Sequence, residues 1–201
     1  FSGNIYREAR RLIRIVNDII KVSRLDEGGP SGEWERVSLR WMAERVGDYL
    51  TRTAESRGVT MTLEGNCAEI MGVPQIVEEV IYNLCDNAIK FSREGGRYEI
   101  GIHEKGGKVT VSVYNEGTGI AKEDLPFVFD RFYKSDKSRG LDKTGVGLGL
   151  YIARTIIEAH KEKIWVESEY GQWCRFSFTL TRTLPAEARE SEKSRNQETG
   201  K

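Results

Sequence analysis

The sequence has no excess of charge of either sign, because 31 lysines and arginines balance 31 aspartates and glutamates. A basic surplus draws proteins to DNA, RNA or anionic membranes, so the composition predicts no nucleic-acid partner. A charged ligand would have to be recognised by a local cluster of residues. The 201 residues are enough for one main domain of ordinary size and an appendage.

Long apolar runs and paired cysteines are also missing. No stretch approaches the roughly 18 apolar residues that a membrane-spanning helix needs, and the first residues do not have the pattern of a signal peptide. Cys67, Cys85 and Cys174 are odd in number, far apart and without metal-ligand spacing. We therefore expect reduced, mostly buried thiols in a cytoplasmic protein.

Helical periodicity appears first between Asn4 and Leu25, where apolar residues recur at helical spacing and basic residues fill other faces. The apolar stripe of this helix predicts a partner that lies upstream or on a second chain. Residues 28–33 have the composition of a flexible linker. A second helix is expected from an N-cap at Ser38 to about Ser56. Its predicted inner face comprises Leu39, Met42, Val46, Tyr49, Leu50 and Ala54.

Alternating patterns predict strands at VTMTLE, at AEIMG, on both sides of a hairpin turn at Gly106–Gly107, and in a final pair. Pro74 opens a third helix, and GLGLYIARTIIEAH forms a fourth. Residues 116–146 are expected to form a long loop, and such loops are usually functional or disordered. Residues 183–201 are expected to form a disordered tail. Helices beside a mostly antiparallel sheet indicate an α+β sandwich.

The segment EEVIYNLCDNAIKFS, residues 78–92, contains an unusual polar stripe. At about 100° per residue, five polar side chains fall on one narrow face: Glu79, Asn83, Asp86, Asn87 and Lys90. Asparagine has poor helix propensity, so two of them one turn apart need a reason. Amide oxygens are neutral ligands suited to Mg²⁺, and a lysine one turn further on can meet a phosphate. The stripe therefore predicts a metal–nucleotide site, with an ordinary solvated helix face as the alternative.

Two glycine-containing segments point to a similar ligand. NEGTGI, residues 115–120, ends a strand with glycines that let the backbone come close to a ligand. GVGLGL, residues 145–150, precedes a helix whose free N–H groups and dipole favour phosphate. Neither is a P-loop or a dinucleotide fingerprint, because no Gly-Lys-Ser/Thr follows and no strand precedes GVGLGL. Each segment alone is a weak signal, but the ordered set is specific.

That ordered set resembles the catalytic and ATP-binding domain of bacterial sensor histidine kinases, in the superfamily that includes gyrase, MutL and the ninety-kilodalton heat-shock chaperones. YNLCDNAIKFS is similar to the N box, NEGTGI to the first glycine box, LPFVFDRFYK to the F box and KTGVGLGLYIA to the second glycine box. The resemblance covers residues 34–182, with an ATP lid at about 116–146. It implies a Bergerat-type two-layer α/β sandwich with a mixed, mostly antiparallel sheet. Residues 1–27 resemble the second helix of the dimerisation and phosphoacceptor hairpin.

The resemblance implies ATP and Mg²⁺ as ligands. Asn83 and Asn87 would bind Mg²⁺, Lys90 would contact phosphate, and Phe91 would pack near the nucleotide. In the hydrolysing relatives a glutamate four positions before the metal-binding asparagine activates water. Here Asn83 stands at that position, and its amide cannot act as a general base. The remaining nucleotide contacts implied are Asn115, Gly117, Gly119, Ile120, Tyr133, Lys134, Gly145, Val146, Gly147, Leu148, Gly149 and Leu150.

The first glycine box departs from the family pattern, because it normally begins with an aspartate that accepts a hydrogen bond from the adenine amino group. Asn115 stands at this position. An amide oxygen also accepts that bond, so we expect adenine preference to persist with weaker affinity, since the bond is no longer charge-assisted. An asparagine in a turn at the end of a strand also has a purely structural explanation.

The lid carries aromatic and basic residues. Phe129 and Phe132 are expected to anchor it by packing, and Lys134 to approach the phosphates. A solvated loop side chain is at least as good an explanation for the other candidates, which are Arg131, Tyr133, Lys137, Arg139 and Lys143.

A phosphoacceptor histidine is missing, because neither His103 nor His160 lies in a His-Glu/Asp-Leu-Arg setting. The resemblance therefore implies an acceptor on an upstream helix, a response regulator receiver domain as partner, and a homodimeric, membrane-anchored parent protein. Two alternatives stay open. One is an ATP-hydrolysing clamp, which the missing base at Asn83 disfavours, and the other is a non-catalytic nucleotide-binding interaction domain, which Asn115 favours.

Overall fold

The computed structural model describes residues 2–28, 32–135 and 146–182. The expected tail, the middle of the expected linker and the central part of the lid lie outside the described residues. The elements are α1 (Ser2–Gly28), β1 (Glu35–Ser38), α2 (Leu39–Glu55), β2 (Thr60–Gly65), β3 (Glu69–Gly72), α3 (Pro74–Phe91), β4 (Arg97–Lys105), β5 (Lys108–Glu116), a 3₁₀-helix (Leu125–Phe127), α4 (Gly149–Ala159), β6 (Ile164–Glu169) and β7 (Trp173–Thr181).

A mixed five-stranded sheet has the strand order β2-β4-β5-β7-β6. Strands β2 and β4 are parallel, and the other pairs are antiparallel. The predicted hairpin turns at Gly106 and Gly107, whose φ values of 59° and 75° cost glycine little. Strands β1 and β3 form a separate antiparallel pair. The predicted α+β class with a mixed, mostly antiparallel sheet is confirmed.

Helices α2, α3 and α4 pack against the sheet, with α3 in contact with both of the others. Strand β5 shows the two faces of the sheet clearly. Val109, Val111, Val113 and Asn115 are buried, whereas the residues between them are half-buried. This period of two is typical of a strand with one packed face. Asn115 is the polar residue that ends the buried row.

Helix α2 begins as predicted, with the Trp41 N–H donating to the Ser38 hydroxyl at 3.4 Å. Five of the six residues predicted to face inward are buried, but the prediction for Tyr49 was wrong, because this side chain is 76% exposed. Tyr49 lies at the edge of the buried stripe, where its ring meets that of Tyr82 edge-on at 5.9 Å. Its polar hydroxyl favours this outward position.

Helix α1 is only partly anchored to the sandwich. Near its C-terminal end Val22 is buried in the main core, and Lys21 Nζ lies 2.6 Å from Glu79 Oε1 on α3. The predicted apolar stripe is exposed at Ile5, Leu12, Val16, Ile19 and Ile20. Among the described helices, including the 27 residues of α1, none combines the length and apolar character needed to cross a bilayer.

Candidate nucleotide-binding site

Helix α3 places the polar stripe along one wall of a large cavity. Pro74 occupies the first turn, where its missing N–H is not needed. The face opposite the stripe is buried in the core and comprises Val77, Ile81, Leu84, Cys85, Ala88 and Ile89. The cavity has a volume of about 1930 Å³ and is lined by Glu79, Asn83, Asp86, Asn87 and Lys90. The stripe therefore faces a pocket, not an open surface.

The two asparagines lie one turn apart on this wall, and both are half-buried. The Nδ2 atom of Asn83 is buried without a hydrogen-bond partner among the residues that the structure covers. The Oδ1 atom of Asn83 would lie 3.2 Å from a Cβ added at Gly149, so this amide contacts the start of α4. A buried polar atom without a partner is costly unless a ligand satisfies it. The pair thus has the position expected of ligand-binding side chains.

Lys90 lies at the C-terminal end of the stripe. Its Nζ atom is 2.7 Å from Asp86 Oδ2, and both side chains are about three-quarters buried. The Arg57 guanidinium donates to the carbonyl of Lys90 at 2.5 Å and to that of Ile89 at 3.4 Å. These bonds satisfy carbonyl groups at the end of α3 that have no partner within the helix. Asp86 holds the ammonium group at the cavity wall.

The first glycine box packs against the protein's own backbone. A Cβ at Gly117 would lie 1.9 Å from the carbonyl oxygen of Phe91, and one at Gly119 would lie 2.2 Å from that of Glu169. The structure shows that these glycines let the segment after β5 lie against the end of α3 and the end of β6. The close approach of a ligand to their backbone stays a prediction. Of the two, Gly119 also lines the cavity.

The second glycine box begins α4 and joins it to the F-box segment. Gly147 has a φ of 76°, and a Cβ there would lie 2.5 Å from the carbonyl oxygen of Tyr133. The Phe132 N–H donates to the Gly147 carbonyl at 3.1 Å. Helix α4 starts at Gly149 with Leu148 as N-cap and no side-chain cap. Its first N–H groups are therefore available to an anion. Gly145 lies outside the described residues.

The F-box segment confirms one predicted lid anchor and corrects the other. Phe129 is buried and meets Phe176 edge-on at 5.7 Å. Phe132 is 50% exposed, because a φ of 64° turns its side chain out of the core. The Tyr133 hydroxyl donates to Asp124 Oδ1 at 2.5 Å. Lys134 lines the cavity, whereas Lys137, Arg139 and Lys143 lie outside the part of the chain that the structure describes.

The cavity brings together nearly all the predicted site residues. Those that line it are Asn83, Asn87, Lys90, Phe91, Asn115, Gly119, Ile120, Tyr133, Lys134, Val146, Gly147, Leu148, Gly149 and Leu150. Gly117 does not. Sequence analysis missed several lining residues, among them Cys174 and Phe176 on β7, Val128 in the F box, and residues of α1 such as Asp18 and Lys21. Strand alternation marks Phe176 as a core residue, but no local signal places it in the cavity.

Neither histidine of the chain lines the cavity. His103 is exposed on β4. His160 ends α4, where its Nδ1 atom lies 2.8 Å from the Ile156 carbonyl oxygen and its ring lies 5.1 Å from that of Trp34. A phosphoacceptor within this cavity is therefore not supplied by the chain's own histidines.

Two of the three cysteines are protected by burial, as predicted. Burial raises the pKa of the Cys85 thiol well above its ordinary value. Burial also raises the pKa of Cys174 from 9.0 to about 12. Hydrogen bonds with the Ser168 side chain and the Arg175 backbone lower this pKa, but the effect of burial is larger. Cys67 is exposed.

We expect one thiol of the native protein to react rapidly with an aromatic disulfide reagent at pH 8, and all three to react after unfolding in guanidinium, because only thiolates attack. Rapid reaction of a second thiol in the native protein would contradict the burial. Cys67→Ser is the control that removes the fast phase.

The raised pKa values of Cys85 and Cys174 also mean that the native state holds these thiol protons more tightly than the unfolded state does. The free energy of unfolding should therefore fall as the pH rises above about 9, where unfolded thiols ionise.

A layer of helices packs on a mixed sheet, and an amide-lined cavity lies between α3 and the glycine-rich start of α4. This arrangement is typical of a nucleotide-binding ATPase domain with an α/β sandwich fold. Residues 72–184 match the family described as "Histidine kinase-, DNA gyrase B-, and HSP90-like ATPase". This match covers more than half of the chain, and the chain belongs to this family.

The curated relatives that the chain resembles are named as sensor proteins and sensor histidine kinases. Sensor protein SrrB of Staphylococcus aureus (strain MRSA252) is 34% identical over 175 residues, covering 86% of this chain and 30% of SrrB. Sensor histidine kinase WalK of Bacillus subtilis (strain 168) is 33% identical over 187 residues, covering 86% of this chain and 29% of WalK. The chain thus spans about 30% of the length of such relatives. Its own match to the ATPase family lies at residues 72–184.

Solved structures share the fold. The catalytic domain of histidine kinase ThkA has a TM-score of 0.65 and 25% identity, covering 76% of this chain and 97% of that one. Full-length ShkA, solved in complex with AMPPNP, has a TM-score of 0.78 and 24% identity, covering 90% of this chain and 38% of that one. The predicted sandwich architecture is therefore confirmed by independent structures.

Proposed function

We propose that this chain is the ATP-binding core of a sensor histidine kinase, which transfers the γ-phosphate of Mg-ATP to a histidine on an upstream helix. The observation that carries the proposal is the Asn83–Asn87 pair, held one turn apart on the cavity wall. A carboxylate at position 83 would favour hydrolysis by activating water, whereas an amide leaves the γ-phosphate for another nucleophile.

The donor set fits a magnesium ion that arrives with the nucleotide. The described residues contain no cluster of three or more His, Cys, Asp or Glu side chains able to hold a metal by themselves. Two neutral amide oxygens instead suit an ion that keeps water and phosphate oxygens as its other ligands. In this proposal Asn87 and Asn83 bind the ion, which neutralises the triphosphate when bound. The buried Nδ2 of Asn83 has no hydrogen-bond partner among the described residues, so turning the amide toward the cavity, where Nδ2 could donate to a phosphate oxygen, breaks no hydrogen bond of that atom.

The other residues of the cavity orient the triphosphate. Lys90, freed from Asp86 by rotation of its flexible stem, meets a phosphate as a point charge. The N–H groups at the start of α4, near Gly149, donate to a second phosphate. Lys134 and Tyr133 approach from the lid. Catalysis by these groups is mainly positioning and charge stabilisation, as is usual for phosphoryl transfer.

The same proposal divides the chain into two parts. Residues 1–27 form the second helix of the dimerisation and phosphoacceptor hairpin, and residues 34–182 form the catalytic domain. The exposed stripe on α1 supports this division, since it needs an apolar partner. In the parent protein that partner is the rest of a dimeric helical bundle, and the phosphohistidine then serves a response regulator receiver domain.

Phosphotransfer in trans tests the proposal. The chain is incubated with ATP radiolabelled at the γ-phosphate and with the histidine-containing hairpin of its parent protein. We expect acid-labile label on the hairpin, and none when its histidine is replaced by alanine. Sustained release of inorganic phosphate would instead favour the hydrolysing clamp. Tight ATP binding with neither product would favour the non-catalytic interaction domain.

A further inference from the structure

Asn115 is a buried polar residue that lines the cavity. The described residues include two buried polar side chains, Asn115 and Ser177, each 2% exposed. Of these two, only Asn115 lines the cavity. It occupies a core-facing position of β5, in line with Val111 and Val113, where the strand pattern calls for an apolar side chain. A polar group at such a position needs a partner to offset its burial.

The surroundings of Asn115 identify the part of a nucleotide that it meets. Its backbone partner on β4 is Tyr98, which does not line the cavity, and its partner on β7 is Cys174. Cys174 is buried and lines the same cavity together with Phe176 and Val128. These neighbours are apolar. The charged and amide groups suited to phosphates lie instead on α3 and at the start of α4. A purine base, which is flat and largely apolar, therefore fits beside Asn115, with its polar edge toward the amide.

No hydrogen bond from its nitrogen fixes the orientation of the Asn115 amide. Nδ2 is buried and has no hydrogen-bond partner among the residues described. Rotation about the last side-chain torsion exchanges the positions of Oδ1 and Nδ2, and that torsion is roughly two-fold. Because no protein acceptor holds Nδ2, this exchange sacrifices no hydrogen bond made by that atom. The side chain can therefore present either an acceptor or a donor to a ligand.

The two classes of purine differ at the edge in question. Adenine offers a donor at its 6-amino group and an acceptor at N1, whereas a 6-oxopurine offers an acceptor at O6 and a donor at N1. An ionised carboxylate only accepts, so its oxygen opposite the 6-position pairs with the 6-amino group of adenine but repels O6, even where the other oxygen accepts from the N1 proton. An amide complements either edge after rotation. We propose that Asn115 relaxes the base selectivity of this site, so that it binds 6-oxopurine nucleoside triphosphates as well as ATP.

The inference rests on the proposed nucleotide site, and inosine triphosphate is the probe that isolates it. This nucleotide differs from ATP only in the 6-oxo group and the N1 proton. Dissociation constants are measured by calorimetry with Mg²⁺ for both nucleotides. We expect the native chain to bind Mg-ITP within about tenfold of Mg-ATP, and Asn115→Asp to widen that ratio at least about tenfold further. Asn66→Asp, the same change at an exposed position, should leave the ratio as it is.

The outcomes separate this inference from the function on which it rests. If the native chain binds Mg-ATP but binds Mg-ITP more than about tenfold more weakly, the selectivity proposal is overturned and the ATP site still stands. An identical ratio in the native chain and in a folded Asn115→Asp variant overturns it too. Failure to bind either nucleotide overturns both proposals. The native measurement decides the matter even if Asn115→Asp does not fold.

Discussion

Replacement of Asn87 by alanine should remove Mg²⁺-dependent ATP binding, with a loss of at least about a hundredfold in affinity. The amide lies on the cavity wall one turn after Asn83, and alanine has no oxygen to offer a metal. Calorimetric titration with a non-hydrolysable ATP analogue, with and without Mg²⁺, measures the effect. The unfolding free energy should change little, because alanine is the better helix former and the face is only half-buried.

Two comparisons make the Asn87 result specific. Asn66→Ala removes the same amide from an exposed loop and should leave nucleotide affinity unchanged. Titration of Asn87→Ala without Mg²⁺ should match the native chain without Mg²⁺, because the variant has lost only the metal contribution. Equal Mg²⁺ enhancement in the variant and the native chain would remove Asn87 from the metal site.

Replacement of Gly119 by alanine should destabilise the domain by more than about 3 kcal/mol. Its φ of 59° is unfavourable for alanine, and the added Cβ would lie 2.2 Å from the Glu169 carbonyl oxygen, which is backbone and cannot move aside alone. The strand ends at β5 and β6 would have to separate. Urea denaturation gives the loss of stability, and nucleotide titration should show weaker binding in the fraction that stays folded.

Gly106→Ala is the matched control, because Gly106 also has a φ of 59° but has no heavy atom within 4 Å of an added Cβ. It should cost only the dihedral penalty of about 1 kcal/mol and leave nucleotide affinity unchanged. The difference between the two variants isolates the steric contribution at Gly119. Equal losses at the two positions would show that the close approach to Glu169 has no energetic weight.

Much of the fold could be predicted because local patterns and tertiary burial agree. Strand β5 alternates, the Gly106–Gly107 turn suits a hairpin, and Ser38 caps α2 as its residue type suggests. The polar stripe of α3 could be found from helical phase alone, since its members share a wall. These features depend on residues close together in sequence, where the physical rules are strongest.

The features that sequence analysis missed depend on contacts between distant segments. The outward position of Tyr49 reflects its place at the edge of a buried stripe, and that of Phe132 a left-handed backbone angle. The true constraint on Gly117 is the carbonyl of Phe91, which is far away in sequence. The sequence shows Asn115 as a departure from the pattern of the first glycine box. Its burial in an otherwise apolar row became visible only with the sheet assembled.

The pairing of β5 with β7 has a consequence for chain length. This ladder joins Asn115 to Cys174 and Glu116 to Trp173, so it closes a loop that contains the whole F-box segment and lid. The entropy of closing a flexible loop grows only with the logarithm of its length, and doubling a flexible segment costs about 0.6 kcal/mol. Insertions or deletions between the two glycine boxes should therefore be inexpensive for folding. That segment is free to diverge in length while the end of the cavity at Asn115 and Cys174 keeps its geometry.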